Sequence, residues 1–119
     1  MNGYEVAERL YSLVKAGEDG TIATDGAPLP EMGYYVGGRT PSLVYKSVED
    51  VDRGEIAYWV GTHGVASFYG VWTDSETGTV YFDAVSLMES RAAANLLAKR
   101  RGELAIWDIA NGEEIRTQP

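Results

Sequence analysis

The chain has 119 residues, 45% of them hydrophobic and 24% charged, proportions that suit one ordinary globular domain with a modest core. It contains no cysteine, which excludes disulfides and thiolate metal sites and is compatible with a reducing cytoplasm, the expected location. A formal net charge of -8 disfavours binding to phosphate backbones; no apolar run reaches membrane-spanning length, and the N-terminus lacks the basic and apolar regions of a signal peptide.

Taken in order, residues 1–30 read as an accessory helix and loop, and residues 31–119 as an α+β core within the same domain. Tyr4, Ala7, Leu10, Tyr11 and Val14 recur at helical spacing, which predicts a short amphipathic helix ending near Gly17. The Gly-, Asp-, Thr- and Pro-rich run from Gly17 to Pro30 predicts a loop with at most a brief strand at Thr21-Ile22-Ala23. Tyr34-Tyr35-Val36 reads as a strand that ends in the Gly37-Gly38 turn. Glycines without a Cβ allow a ligand to approach closely, which makes Tyr35, Gly37, Gly38 and Arg39 a candidate ligand turn. Their spacing is not that of a phosphate-binding loop, and a plain turn is the simpler reading.

Leu43-Val44-Tyr45 predicts a strand, and Ser47 with Asp50 three residues on predicts an N-cap with acidic first-turn residues. Val48, Val51, Ile56, Trp59 and Val60 supply the apolar face of one helix, weakened at Gly54 and ended at Gly61. Phe68–Thr73 and Thr79–Val85 are β-rich arms around Asp74-Ser75-Glu76-Thr77-Gly78, a turn whose glycine suits positive φ. Pairing Thr73 with Thr79 would place Phe68, Trp72, Val80 and Phe82 on one apolar face, the expected core. Tyr69, Val71, Tyr81 and Asp83 would then share the other face.

Ser86 and Glu89 stand at capping-box spacing before an alanine- and leucine-rich helix that Gly102 stops. Lys99, Arg100 and Arg101 crowd its last turn, where cations meet the negative end of the helix dipole, and this outweighs reading them as a nucleic-acid patch. Leu104–Trp107 reads as a short buried strand. From about residue 42 the order is therefore strand, helix, strand, strand, helix, strand. That predicts an antiparallel sheet of ferredoxin-like βαββαβ order with helices on one face, extended by the strand at 34–36.

Chemistry-bearing residues are sparse. His63 is the single histidine; it has no neighbouring nucleophile or orienting partner, and a loop histidine at a helix end is the better reading. Asp74, Asp83 and Asp108 are predicted at a turn, an outward strand position and a strand end, which does not make the converging oxygens a hard cation needs. No catalytic residue, metal or cofactor is expected. The face of Tyr69, Val71, Tyr81 and Asp83, with Tyr45 or Trp107 beside it, is the candidate interaction face. Aromatics on an open sheet suit base stacking, but the face adds Asp83 where RNA readers add cations. Cover by the N-terminal helix or by a second subunit in a homodimer explains the aromatics with fewer assumptions.

The stretches GYYVGG, YGVWTDSETGTVYFDAV and AKRRGELAIWDIANGEEIRT together resemble small uncharacterised proteins and domains encoded by actinobacterial phages and related mobile elements. Gly70, Trp72, Asp74, Gly78, Tyr81 and Asp83 in the hairpin carry the resemblance, with Ala105, Ile106 and Asp108 in the last strand. It covers about the last two-thirds of the chain and leaves out the N-terminal helix. The resemblance implies a mobile-element setting and carries no catalytic residues. The leading expectation is a non-enzymatic accessory protein that binds another protein, such as a host protein. The alternative is a small ligand-binding domain or enzyme with a pocket near the glycine turn. The third is nucleic-acid binding through the open sheet face.

Overall fold

The computed structural model describes residues 1–62 and 66–117. Its first element, α1 (Gly3–Lys15), starts where the Asn2 side chain accepts from the Glu5 amide and the Glu5 carboxylate accepts from the Asn2 amide. That reciprocal cap satisfies two donors the helix would otherwise leave free. Val6, Ala7, Leu10 and Val14 form its buried stripe. The strands are β1 (Gly20–Ala23), β2 (Tyr34–Val36), β3 (Leu43–Tyr45), β4 (Phe68–Thr73), β5 (Val80–Met88), β6 (Ala105–Asp108) and β7 (Glu113–Arg116). Between them lie α2 (Arg53–Thr62) and α3 (Arg91–Arg101).

All the strand pairs are antiparallel, and the nine-residue β5 is the hub. One edge of β5 pairs with β4, and β4 pairs in turn with β1. The other edge of β5 is shared end to end: β3 occupies Val80–Phe82, and β2 occupies Ser86–Met88. The six residues 37–42 loop out against the three residues 83–85. Beyond β2 the sheet continues through β6 to β7.

One face of this sheet is the inner one. Val80, Phe82 and Ala84 of β5 pack with Tyr69 and Val71 of β4, Ile22 of β1 and the buried sides of α1 and α2. Farther along, Met88 lies with Val36, Ile106 and the α3 residues Ala94, Leu97 and Ala98. Residues 80, 82, 84 and 88 share parity on one continuous strand, so the three described α-helices lie on the same side. The fold is α+β with an antiparallel open sheet, an N-terminal helix included.

Three expectations are corrected, and one strand is new. The ferredoxin-like order requires the last strand to pair with β3; instead β6 pairs with β2, because the short β3 reaches only to the middle of β5 and β2 fills the remaining edge. The hairpin register is shifted by one residue. Thr73 pairs with Val80 and Trp72 with Tyr81, because the loop is closed by the Asp74 amide donating to the Thr79 carbonyl at 2.8 Å. A one-residue slip exchanges the faces of a whole strand relative to its partner. Phe68 and Trp72 therefore point outward, while Tyr69 and Val71 lie in the core, each 2% exposed. The turn itself keeps its expected glycine, Gly78, at φ 79°.

The third correction concerns caps. Ser86 is a strand residue paired with Val36, and Ser90 caps α3 by accepting from the Ala93 amide. Likewise Ser47 begins a 3-10 turn over Val48–Asp50, and the Asp52 carboxylate caps α2 by accepting from the Glu55 amide. The new strand is β7. Its local signal is Asn111-Gly112, a dipeptide that favours tight hairpins, with Asp108 accepting from both the backbone and side-chain nitrogens of Asn111.

Candidate functional site

The outer face is read from strand parity. It presents Thr21 and Ala23 on β1, Phe68, Gly70 and Trp72 on β4, and Tyr81, Asp83, Val85 and Leu87 on β5. Val44 of β3, Tyr35 of β2, Ala105 and Trp107 of β6, and Glu114 and Arg116 of β7 complete it. The large apolar members stay accessible: Val44 is 49% exposed, Trp72 44%, Leu87 37% and Trp107 44%. Trp72 stacks on its cross-strand neighbour Tyr81, with ring centroids 4.3 Å apart and planes at 11°. Tyr35 reaches over the sheet to Phe68, centroid to centroid 5.4 Å.

The 37–42 loop meets the centre of this face. The Ser42 hydroxyl donates to Asp83 at 2.5 Å. A Cβ on Gly37 would stand 2.7 Å from Glu103 Oε1 and 3.7 Å from the Asp83 carboxyl carbon, so this backbone has a carboxylate where a side chain would begin. Burial, and then the neighbouring Asp83, hold the Glu103 carboxyl above its ordinary pKa, against the pull of Arg101. The Arg101 guanidinium bridges α3 to the strands, donating to the carbonyls of Val36 at 3.2 Å and Gly37 at 3.1 Å and to Ser86 Oγ at 2.9 Å. Burial, and then the Arg39 charge, lower its pKa.

Beside the loop is a depression of about 370 Å³ lined by Arg39, Ser67, Phe68, Val85, Ser86 and Leu87. The Tyr35 hydroxyl is buried and has no hydrogen-bond partner among the described residues, and burial raises its pKa.

Of the candidate interaction face, Tyr81 and Asp83 lie outside, whereas Tyr69 and Val71 face the helices. Tyr69 packs on Trp59 with centroids 5.5 Å apart, and its hydroxyl accepts from the Ala66 amide. Tyr45 is also inward: its ring meets Phe82 edge-on and its hydroxyl donates to Glu55. Trp107 is outward. Of the candidate ligand turn, Gly37 and Gly38 lie against Glu103, Arg39 is at the rim of the depression, and Tyr35 is packed under Phe68.

Sequence reasoning missed Trp72, Val44, Leu87 and Glu103 as members of this site. The first was assigned inward by register. Leu87 fell in the presumed helix start, and no local pattern marks Val44 or Glu103. Asp83 and Asp108 occupy opposite faces of the sheet, and among the described residues no group of three acidic, histidine or cysteine side chains could hold a metal. His63 lies outside the described residues. No helix among the described residues is long and apolar enough to cross a membrane.

No protein-family model, curated protein or solved structure matches the chain.

Proposed function

We propose that this protein acts by binding another protein chain through the outer face of its sheet, in the cytoplasm and without enzymatic activity. One observation carries the reading: Val44, Trp72, Leu87 and Trp107 are exposed on a face over which, among the described residues, no helix packs. Large apolar side chains left in water on one face mark a contact with a ligand or another chain. A host protein, in the mobile-element setting that the sequence resemblance implies, and a second copy of the chain are the two expected occupants. A photo-crosslinking amino acid placed at Leu87 in the native cell should yield a covalent adduct with one protein of defined mass. Absence of any adduct would overturn the reading.

A second reading has the depression beside the glycine turn in its favour. Its volume of about 370 Å³ falls within the range of small-molecule sites. Under it, saturable chemical-shift changes at Arg39, Phe68 and Leu87 should follow titration with a fragment set; none at millimolar fragment would dispose of it. The nucleic-acid reading has less support. Among the described outward strand residues the cation is Arg116, and it lies 3.7 Å from Glu114, which leaves no basic track for a phosphate backbone.

A further inference from the structure

We propose that the chain covering the outer sheet face is a second copy of this protein, in a twofold face-to-face dimer. This rests on the reading above that the face meets a protein. The first argument is where the charge is. The whole chain carries -8, yet the outward strand positions include two carboxylates, Asp83 and Glu114, against one cation, Arg116. The described helices hold seven cations against three carboxylates, so the excess acid is carried by the loops and turns that connect the elements. Two copies can meet on this face without opposing most of their like charge, whereas a basic partner would be drawn to the acidic loops instead.

The second argument is area. At ~3.3 Å rise per residue and ~4.8 Å between strands, the strands of this sheet cover roughly 500 Å² before side-chain relief is added, close to the ~600 Å² per partner at the lower end of specific interfaces. The third is the placement of the anchors. Trp72 on β4 and Trp107 on β6 lie on either side of β5, one level with Tyr81 and the other level with Tyr35 and Leu87. A twofold contact uses the same patch on both copies, so each aromatic end meets the partner and neither is left in water. Twisted sheets pack this way at ~10 Å separation with interdigitated side chains.

Sedimentation equilibrium of the full chain, from micromolar to millimolar, tests this with three variants. Wild type should sediment at twice the chain mass. Leu87→Arg and Trp107→Glu should weaken the dimer roughly tenfold or more, as loss of a buried anchor does, with unchanged far-UV circular dichroism. Tyr58→Glu, on the exposed side of α2, should leave the dimer intact. Monomer mass across the whole range overturns the inference, as does a dimer that survives both face substitutions or is lost with Tyr58→Glu. The Leu87 crosslink separates the two levels of argument. An adduct of twice the chain mass supports the dimer. An adduct with a different chain overturns the dimer and leaves the interaction reading standing, and no adduct removes both.

Discussion

Trp72 lies flat on Tyr81, centroids 4.3 Å apart, on the face of the sheet away from the helices. Its ring stays 44% exposed, while its strand neighbour Val71 is 2% exposed. The pair therefore stiffens an open surface and adds little to the core. Trp72→Ala should cost about 0.5–1.5 kcal/mol, the worth of an aromatic pair. Phe82→Ala, on the inner face, should cost about 3–5 kcal/mol. Urea melts of both variants check the contrast; equal losses would place Trp72 in the core.

Tyr69 is buried among Trp59 and the helices, and its hydroxyl accepts from the Ala66 amide at 2.9 Å. Tyr69→Phe keeps the ring and leaves that amide without this acceptor, so it should destabilise by about 1–3 kcal/mol. A melt indistinguishable from wild type would mean that the amide finds water instead.

Gly78 holds φ 79° at the hairpin turn, with its amide donating to the Asp74 carbonyl at 2.8 Å. A β-branched side chain resists that conformation, and Gly78→Val should cost about 1–3 kcal/mol. Gly78→Asn should cost less, since asparagine tolerates positive φ. Thermal melts of the two variants give the order, and Val melting at or above Asn would contradict it.

Glu103 has a folded pKa above its ordinary 4.5, first because it is partly buried and second because Asp83 is close. A carboxyl with a raised folded pKa holds its proton more tightly in the folded chain. Its contribution to stability is present below the ordinary glutamate range and is lost as pH rises through the raised value. Glu103→Gln should therefore melt above wild type at neutral pH, and the two curves should converge as the pH falls below the ordinary glutamate value. A variant less stable than wild type at pH 7 would show that the carboxylate is held by a favourable partner.

Local chemistry was legible wherever a short stretch decides its own conformation. The stripe of Ala7, Leu10 and Val14 marks α1, the stop at Gly102 marks the end of α3, and the turn at Asp74–Gly78 marks the hairpin, because periodicity, capping and positive φ act over a few residues. The sequence likewise determined the α+β class with its antiparallel sheet. Which aromatics stand on the outer face was decided by tertiary structure. One residue of register, set by how the hairpin loop closes, sends Tyr69 inward and Trp72 outward, and local pattern cannot distinguish two arms that are apolar on both sides. The extension of β5 through Ser86 to Met88 depends on β2, a strand more than forty residues earlier in the chain, which outcompetes the local capping signal. The meeting of Gly37, Asp83 and Glu103 has no sequence signature at all, because three separate segments supply it and only the packed sheet brings them together.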